Sequence, residues 1–165
     1  MTGKLTQGSV LPHIELRLID GQTLTLPAGR PPGYLVLMFY RGHWCTQCRR
    51  HLSQYQEHLE ELRSLDVTVV AASVDSRELT RQLAESAGYT FPMAYGVTRD
   101  DVSAFDPWWG DDEHGQYIQP TEMLVLRDGT IHSSMYGSGS LGRMPVEGVL
   151  FAVRQREERR AAAAS

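Results

Sequence analysis

A chain of 165 residues is long enough for one folded domain, which would bury roughly two-thirds of the surface exposed by the unfolded chain. Its content of 41% apolar and 22% charged residues is that of an ordinary globular protein and excludes long disorder. The formal net charge is -4, and the one basic cluster, Arg41 to His51, surrounds the cysteines rather than forming a stripe, which argues against a nucleic-acid partner.

No apolar run approaches the ~20 residues of a membrane span, and Met1 to Leu11 lacks a signal-peptide core, so a cytoplasmic protein without membrane contact is expected. Two cysteines are too few for a disulfide scaffold, and a reducing compartment would keep them as thiols. Any role they have is chemical.

Taken in chain order, His13 to Asp20 and Gln22 to Leu26 alternate apolar and polar residues around Asp20-Gly21, a strong hairpin signal. After the Pro/Gly punctuation of Gly29 to Gly33, the run Tyr34 to Tyr40 is apolar or aromatic throughout and predicts a strand buried on both faces. Cys45 to Leu65 reads as a helix, with Leu52, Tyr55, Leu59 and Leu62 forming one stripe that reaches back to Cys48. Val67 to Val74 is a second apolar strand. Ser76 to Ala87 is a helix opened by Asp75 with Glu78 three residues on, and closed by Gly88.

A short strand at Phe91 to Tyr95 and a short helix near Thr98 follow. Thr121 to Leu126 and Thr130 to Tyr136 flank Arg127-Asp128-Gly129 as a hairpin, and a last helix starts at Pro145 with Val146, Val149, Leu150 and Val153 as its apolar face. Alternating strands and helices point to an α/β fold with a mainly parallel sheet. Residues 1–165 are expected as one domain, with 154–165 a polar, fraying tail.

Between the central strand and its helix lies Arg41-Gly42-His43-Trp44-Cys45-Thr46-Gln47-Cys48-Arg49-Arg50-His51. Cys45 falls at the helix N-terminus, where unpaired N–H groups and the dipole favour a thiolate. Arg41, His43, Arg49 and Arg50 add positive charge that lowers a thiol pKa. Cys48 lies one turn on, on the core-facing stripe. The spacing predicts an exposed nucleophile, Cys45, with a sheltered partner, Cys48. Lowering a thiol pKa from about 8.5 to about 7 gains only about threefold in attack rate after lost nucleophilicity, so geometry must supply most of any catalysis.

Other readings of the pair are weaker. A closed zinc site needs four ligands and there is no second cysteine pair; haem attachment needs His after the second cysteine, where Arg49 stands. No metal is expected. Asp106 to Gly115 carries adjacent Trp108 and Trp109 followed by Asp111, Asp112, Glu113 and His114. This loop reads either as a substrate or partner rim or homodimer contact, or as a core plug with solvated acids, the latter being favoured.

Trp44-Cys45-Thr46-Gln47-Cys48 is similar to the tryptophan-led active site of thioredoxins. Phe39 to Cys45, with Phe91-Pro92-Met93 and Ala94 to Val97, resembles the alkyl hydroperoxide reductase / thiol-specific antioxidant (peroxiredoxin-like) branch of the thioredoxin-like superfamily, from about Gly8 to Phe151. The resemblance implies a three-layer α/β/α sandwich with a central mixed sheet and an added N-terminal hairpin. It implies a thiol oxidoreductase that reduces hydroperoxides or disulfides through Cys45 and Cys48 and needs no cofactor, with a thioredoxin-type dithiol as external reductant. Trp44, Arg41, Gln119 and Pro120 become substrate-binding candidates. Pro120 resembles the cis-proline facing the dithiol in this fold, which would place the Gln119 backbone beside Cys45.

Departures from the family pattern are as specific. Typical members place Pro and Thr or Ser seven and three residues before the peroxide-attacking cysteine; counted from Cys45 these are Met38 and Gly42. The arginine near the late strand has no counterpart, Gln119 standing about there, and Arg41 is the candidate substitute. No acid on Tyr34 to Tyr40 is available as base for the second cysteine, which leaves His43. The competing class is a non-enzymatic thioredoxin-fold redox sensor or binding module.

Overall fold

The computed structural model describes residues 3–165. Nine strands and five helices follow in the order β1 (Ile14–Leu18), β2 (Thr23–Leu26), β3 (Tyr34–Phe39), α1 (Thr46–Glu57), α2 (Leu59–Ser64), β4 (Val67–Ala72), α3 (Arg77–Ala87), β5 (Met93–Tyr95), α4 (Arg99–Val102), β6 (Trp109–Asp112), β7 (Gly115–Ile118), β8 (Thr121–Val125), β9 (Ile131–Tyr136) and α5 (Val146–Ala164). Seven strands form one sheet in the order β2-β1-β5-β4-β3-β8-β9, and β6 and β7 pair separately.

The sheet is mixed rather than mainly parallel. Only β3–β4 and β4–β5 run parallel; β1–β2, β1–β5, β3–β8 and β8–β9 are antiparallel. Counting alternating elements overstated the parallel share because both flanking hairpins join by tight turns, which make antiparallel pairs. At Asp20-Gly21 the turn is as expected: Gly21 has φ +94°, and the Asp20 carboxylate accepts from Gln22 N–H at 2.9 Å.

β3 is the axis of the molecule, buried at every position. Because successive side chains leave opposite faces of a strand, Tyr34, Val36 and Met38 enter one core and Leu35, Leu37 and Phe39 the other. The first core packs against α1, α2, α3 and α5; the second is closed by Leu11, the N-terminal hairpin, Val102 and Phe105. This is the α/β layering, with its added hairpin, that the resemblance implies.

The stripe Leu52, Tyr55, Leu59 and Leu62 is buried as its spacing requires. The helix carrying it is interrupted at His58, whose φ of -103° and ψ of 11° end α1 and begin α2. At the C-terminus, residues 154–164 continue α5 instead of fraying, although no apolar face continues past Val153. Helix formers, Ala and Arg among them, and an Arg154–Glu61 ion pair support this tail. Pro145, the expected first helical residue, is instead the N-cap of α5, which starts one position later at Val146. No helix of the described residues is long and apolar enough to cross a membrane.

Candidate active site

β3 ends at Phe39, and the chain turns through Arg41 to Trp44 into α1. Cys45 is the N-cap of α1, with extended backbone (φ -84°, ψ 107°), and its Sγ accepts the Cys48 N–H at 3.2 Å. A thiol thus does what Ser, Thr or Asp usually does at this position. In capping its own helix the Cys45 side chain turns inward. The expected exposed nucleophile is therefore buried: Cys45 is 3% exposed and Cys48 1%, both as free thiols.

Two guanidinium groups lie on the sulfurs. Arg41 Nη1 is 3.8 Å from Cys45 Sγ, and Arg143 Nη2 is 3.7 Å from Cys45 Sγ and 2.9 Å from Cys48 Sγ. Cys45 is lowered to about 5, chiefly because the Cys48 thiol hydrogen-bonds to it; Cys48 N–H, Arg41 and the Arg143 charge act in the same direction, against burial. Cys48 is pushed up by the same hydrogen bond and by its own burial. The two shifts are opposite in sign and favour Cys45 as the sulfur that ionises first.

Arg49 and Arg50, whose sequence context fits service at the site and plain solvation equally, are exposed to solvent. Their place is taken by Arg143, in the segment between β9 and α5, 95 residues from Cys48. It is the residue the sequence did not reveal. Arg41 is where it was expected, and Tyr117 fixes it: Arg41 Nη2 donates to Tyr117 Oη at 3.0 Å. Tyr117 in turn donates to Asp112 Oδ2 at 2.8 Å.

Both Tyr117 and Asp112 belong to the β6–β7 hairpin, which was expected to be a loop. Its tip brings His114 onto Trp44, rings stacked 3.8 Å apart and 7° from parallel, while Tyr117 meets Trp44 edge-on at 4.8 Å. The acids 111–113 are solvated and Trp109 packs against the second core, as the plug reading required, yet the same hairpin also forms one wall of the dithiol site. Trp108 is 49% exposed.

Gln119 and Pro120 do not behave as the resemblance suggested. Among the described residues the only cis peptide is Leu26–Pro27, so Gln119–Pro120 is trans. Here the chain passes straight from β7 into β8. Gln119 N–H donates to the Trp108 carbonyl at 2.9 Å, its own carbonyl accepts from Thr121 Oγ1 at 3.0 Å, and Gly137 N–H occupies the Pro120 carbonyl. The Gln119 backbone is committed internally, and neither residue has a hydrogen bond to the cysteines.

His43 is held by Asp75, which accepts from His43 N–H at 2.7 Å and lies 3.2 Å from His43 Nδ1. The buried acid missing from β3 comes from its neighbour: Glu122 of β8, opposite Met38 in register, is 2% exposed and pairs with His51 Nε2 at 2.8 Å.

A model of the AhpC/TSA family matches residues 7–134. The chain belongs to the AhpC/TSA family. It is a thiol-dependent oxidoreductase of the peroxiredoxin-like branch, and its fold is thioredoxin-like. Alkyl hydroperoxide reductase E of Mycobacterium tuberculosis is 25% identical over 119 residues, 69% of this chain and 78% of that protein. Two solved structures share the fold: Mycobacterium tuberculosis AhpC, with a TM-score of 0.77 at 19% identity over 94% of each chain, and a peroxiredoxin-like protein from Aquifex aeolicus, with a TM-score of 0.78 at 14% identity over 93% of this chain and 88% of that one.

Proposed function

We propose that this AhpC/TSA protein is a cytoplasmic antioxidant peroxidase that reduces small hydroperoxides through a Cys45/Cys48 dithiol-disulfide cycle. The observation that carries the reading is one guanidinium, Arg143, straddling two free, buried sulfurs. Cys45 thiolate attacks the terminal peroxide oxygen; the O–O bond breaks, an S–O bond forms, and the departing alkoxide takes a proton to leave as alcohol. Cys48, losing its proton, then attacks the Cys45 sulfenic acid and expels water, leaving a Cys45–Cys48 disulfide. An external dithiol of the thioredoxin type returns both cysteines to thiols. No cofactor enters the cycle.

Thiolate formation alone does not explain a fast step. Relative to a thiol at about 8.5, a Cys45 at about 5 holds about thirtyfold more thiolate near pH 7 and loses about fortyfold in intrinsic nucleophilicity. The two nearly cancel. What remains is charge stabilisation: Arg41 and Arg143 donors already face the place where the peroxide oxygen acquires negative charge. Burial of both sulfurs beneath these side chains favours a small hydroperoxide over a protein disulfide as oxidant. Trp44, between Arg41 and His114, forms the rim, and the half-exposed Trp108 offers an apolar contact for a homodimer.

A second assignment of roles has its own support. Arg143 stands nearer Cys48 than Cys45, and Cys45 Sγ accepts the Cys48 N–H as a Thr or Ser hydroxyl would. Counted from Cys48, the family's offsets of seven and three fall on Arg41 and Cys45. In that reading Cys48 attacks and Cys45 resolves. Single-turnover oxidation by hydrogen peroxide separates the two: Cys48→Ser should still form a sulfenic acid and Cys45→Ser should not. The reverse pattern exchanges the roles, and peroxide consumption at the parental rate by the double Ser variant refutes the function.

A further inference from the structure

Arg143 touches both sulfurs and also donates to the Ser140 carbonyl, within a segment that is otherwise lightly held. Residues 137–142 include three glycines, and Leu141 is 70% exposed. The fixed point is the next residue. Met144 is buried, and both of its backbone polar groups are taken: its N–H donates to Glu122 Oε1 at 2.7 Å, and its carbonyl accepts from Tyr55 Oη at 2.8 Å. Glu122 is itself pinned from the other side by His51 Nε2, at 3.0 Å from Oε1 and 2.8 Å from Oε2. His51 and Tyr55 lie on α1, one and two turns beyond Cys48, with their rings 5.1 Å apart.

We propose that Glu122, with Tyr55, is a positioning residue for the dithiol: it clamps the Met144 backbone so that the guanidinium of Arg143 is delivered to Cys45 and Cys48. The proposal rests on the dithiol reading above and extends it to residues that touch neither sulfur. The helix that presents the cysteines also carries two of the three side chains that fix the segment bearing their cation. Dithiol and guanidinium are thereby registered to one rigid element, although the chain between Cys48 and Arg143 is 95 residues long in sequence separation.

Arg41 and Arg143 contact the sulfurs, Tyr40 just after β3 and Tyr89 beyond α3 lie within reach of the Cys48 charge, and His51, Glu122 and Tyr55 stand behind them around the Met144 backbone. Two mechanisms by which Glu122 could act differ in sign. If its carboxylate acted directly through its field, removing that negative charge would make the thiolate easier to form. If it acts by holding Arg143, removing it lets the cation move away and makes the thiolate harder to form.

The experiment is an ultraviolet thiolate titration of the reduced chain without substrate, in parent, Glu122→Ala, Glu122→Gln, Tyr55→Phe and Arg143→Ala proteins. The expected result is an upward midpoint shift of about one unit for Glu122→Ala, corresponding to one lost charge-assisted hydrogen bond. A smaller upward shift is expected for Tyr55→Phe, and Glu122→Gln, which keeps an acceptor for Met144 N–H, should restore much of the loss. Combined with Arg143→Ala, Glu122→Ala should add nothing further, since its effect runs through the residue already removed. A downward shift, no shift, or full additivity with Arg143→Ala overturns the proposal. Where Glu122→Ala does not fold, Tyr55→Phe, which keeps its ring in the core, decides by the same criteria. Since no peroxide is present, failure here is distinguishable from failure of the peroxidase reading, which is scored by turnover.

Discussion

Arg143→Ala is the substitution that most directly tests how the site works. The guanidinium stands 3.7 Å from Cys45 Sγ, the sulfur whose thiolate form is favoured. At an effective dielectric of about 20 the bare attraction is about 4.5 kcal/mol, an upper bound because Arg143 is only half-buried and water screens part of it. Hydrogen bonds to charged groups are worth about 1.5–3 kcal/mol net, or about one to two pH units in the thiolate midpoint. In a Cys48→Ser background, where a single sulfur titrates, ultraviolet absorbance should follow a midpoint raised by that amount when Arg143 is removed. Arg143→Lys, keeping charge without the fork, should fall between. With Cys48 in place, Arg143→Ala would still be about half thiolate or more near pH 7, so lost thiolate alone limits the rate loss to about twofold. A fall in peroxide oxidation of tenfold or more would then measure transition-state stabilisation. An unmoved midpoint together with an unchanged rate refutes the role given to Arg143.

Two further outcomes are expected. Because Cys45 is held at about 5, alkylation of the reduced protein should be nearly flat from about pH 7 to 9 and fall below about pH 6, whereas an ordinary thiol would gain about tenfold per unit over the lower range; a profile rising steadily to about pH 8.5 contradicts the thiolate assignment. Gly42→Ala puts a Cβ 2.4 Å from Trp44 Nε1, so the indole must leave its stack on His114. Tryptophan fluorescence should shift and peroxide turnover fall while the midpoint of cooperative unfolding changes little; unchanged fluorescence and turnover would show that the stack has no part in the site.

The sequence made β3, α1 and their cysteines legible because each is a local pattern. Seven apolar residues from Tyr34 cannot be anything exposed, and Leu52, Tyr55, Leu59 and Leu62 keep helical spacing straight through the break at His58. That same continuity hid the break, since α2 resumes with its apolar residues in phase. The β6–β7 hairpin was missed because its acids outweighed its turn; His114-Gly115, with Gly115 at φ +80°, was the available signal. Arg143 had no local signal. It is defined by the Met144 backbone, which depends on Glu122, which reads in sequence as one polar residue in an apolar strand. Only the β3–β8 register, with Met38 opposite Glu122, turns that carboxylate toward α1. The buried state of Cys45 was invisible for a related reason: a thiol that caps its own helix has the same spacing as one that faces solvent.

Burial of the nucleophile has a consequence for which oxidants react. Arg41 and Arg143, both only partly buried, lie against Cys45 Sγ, and Arg143 follows a loop whose curl depends on Gly137. A Cβ there would lie 2.2 Å from the Leu141 carbonyl oxygen, a backbone atom that moves only if the loop does. A hydroperoxide can slip between guanidinium donors that then bind it, so it reacts without loop movement. A protein disulfide must bring its own backbone to within bonding distance and needs the loop displaced; each ~1.4 kcal/mol of that displacement slows it tenfold. Cys45 oxidation by hydrogen peroxide should therefore exceed reaction with a bulky disulfide by more than about tenfold in the parent. Gly137→Ala, by opening the loop, should narrow that ratio from the disulfide side. If the disulfide reacts faster in the parent, or if Gly137→Ala leaves the ratio unchanged, the loop is not the gate to these sulfurs and disulfide exchange becomes the better account of the site.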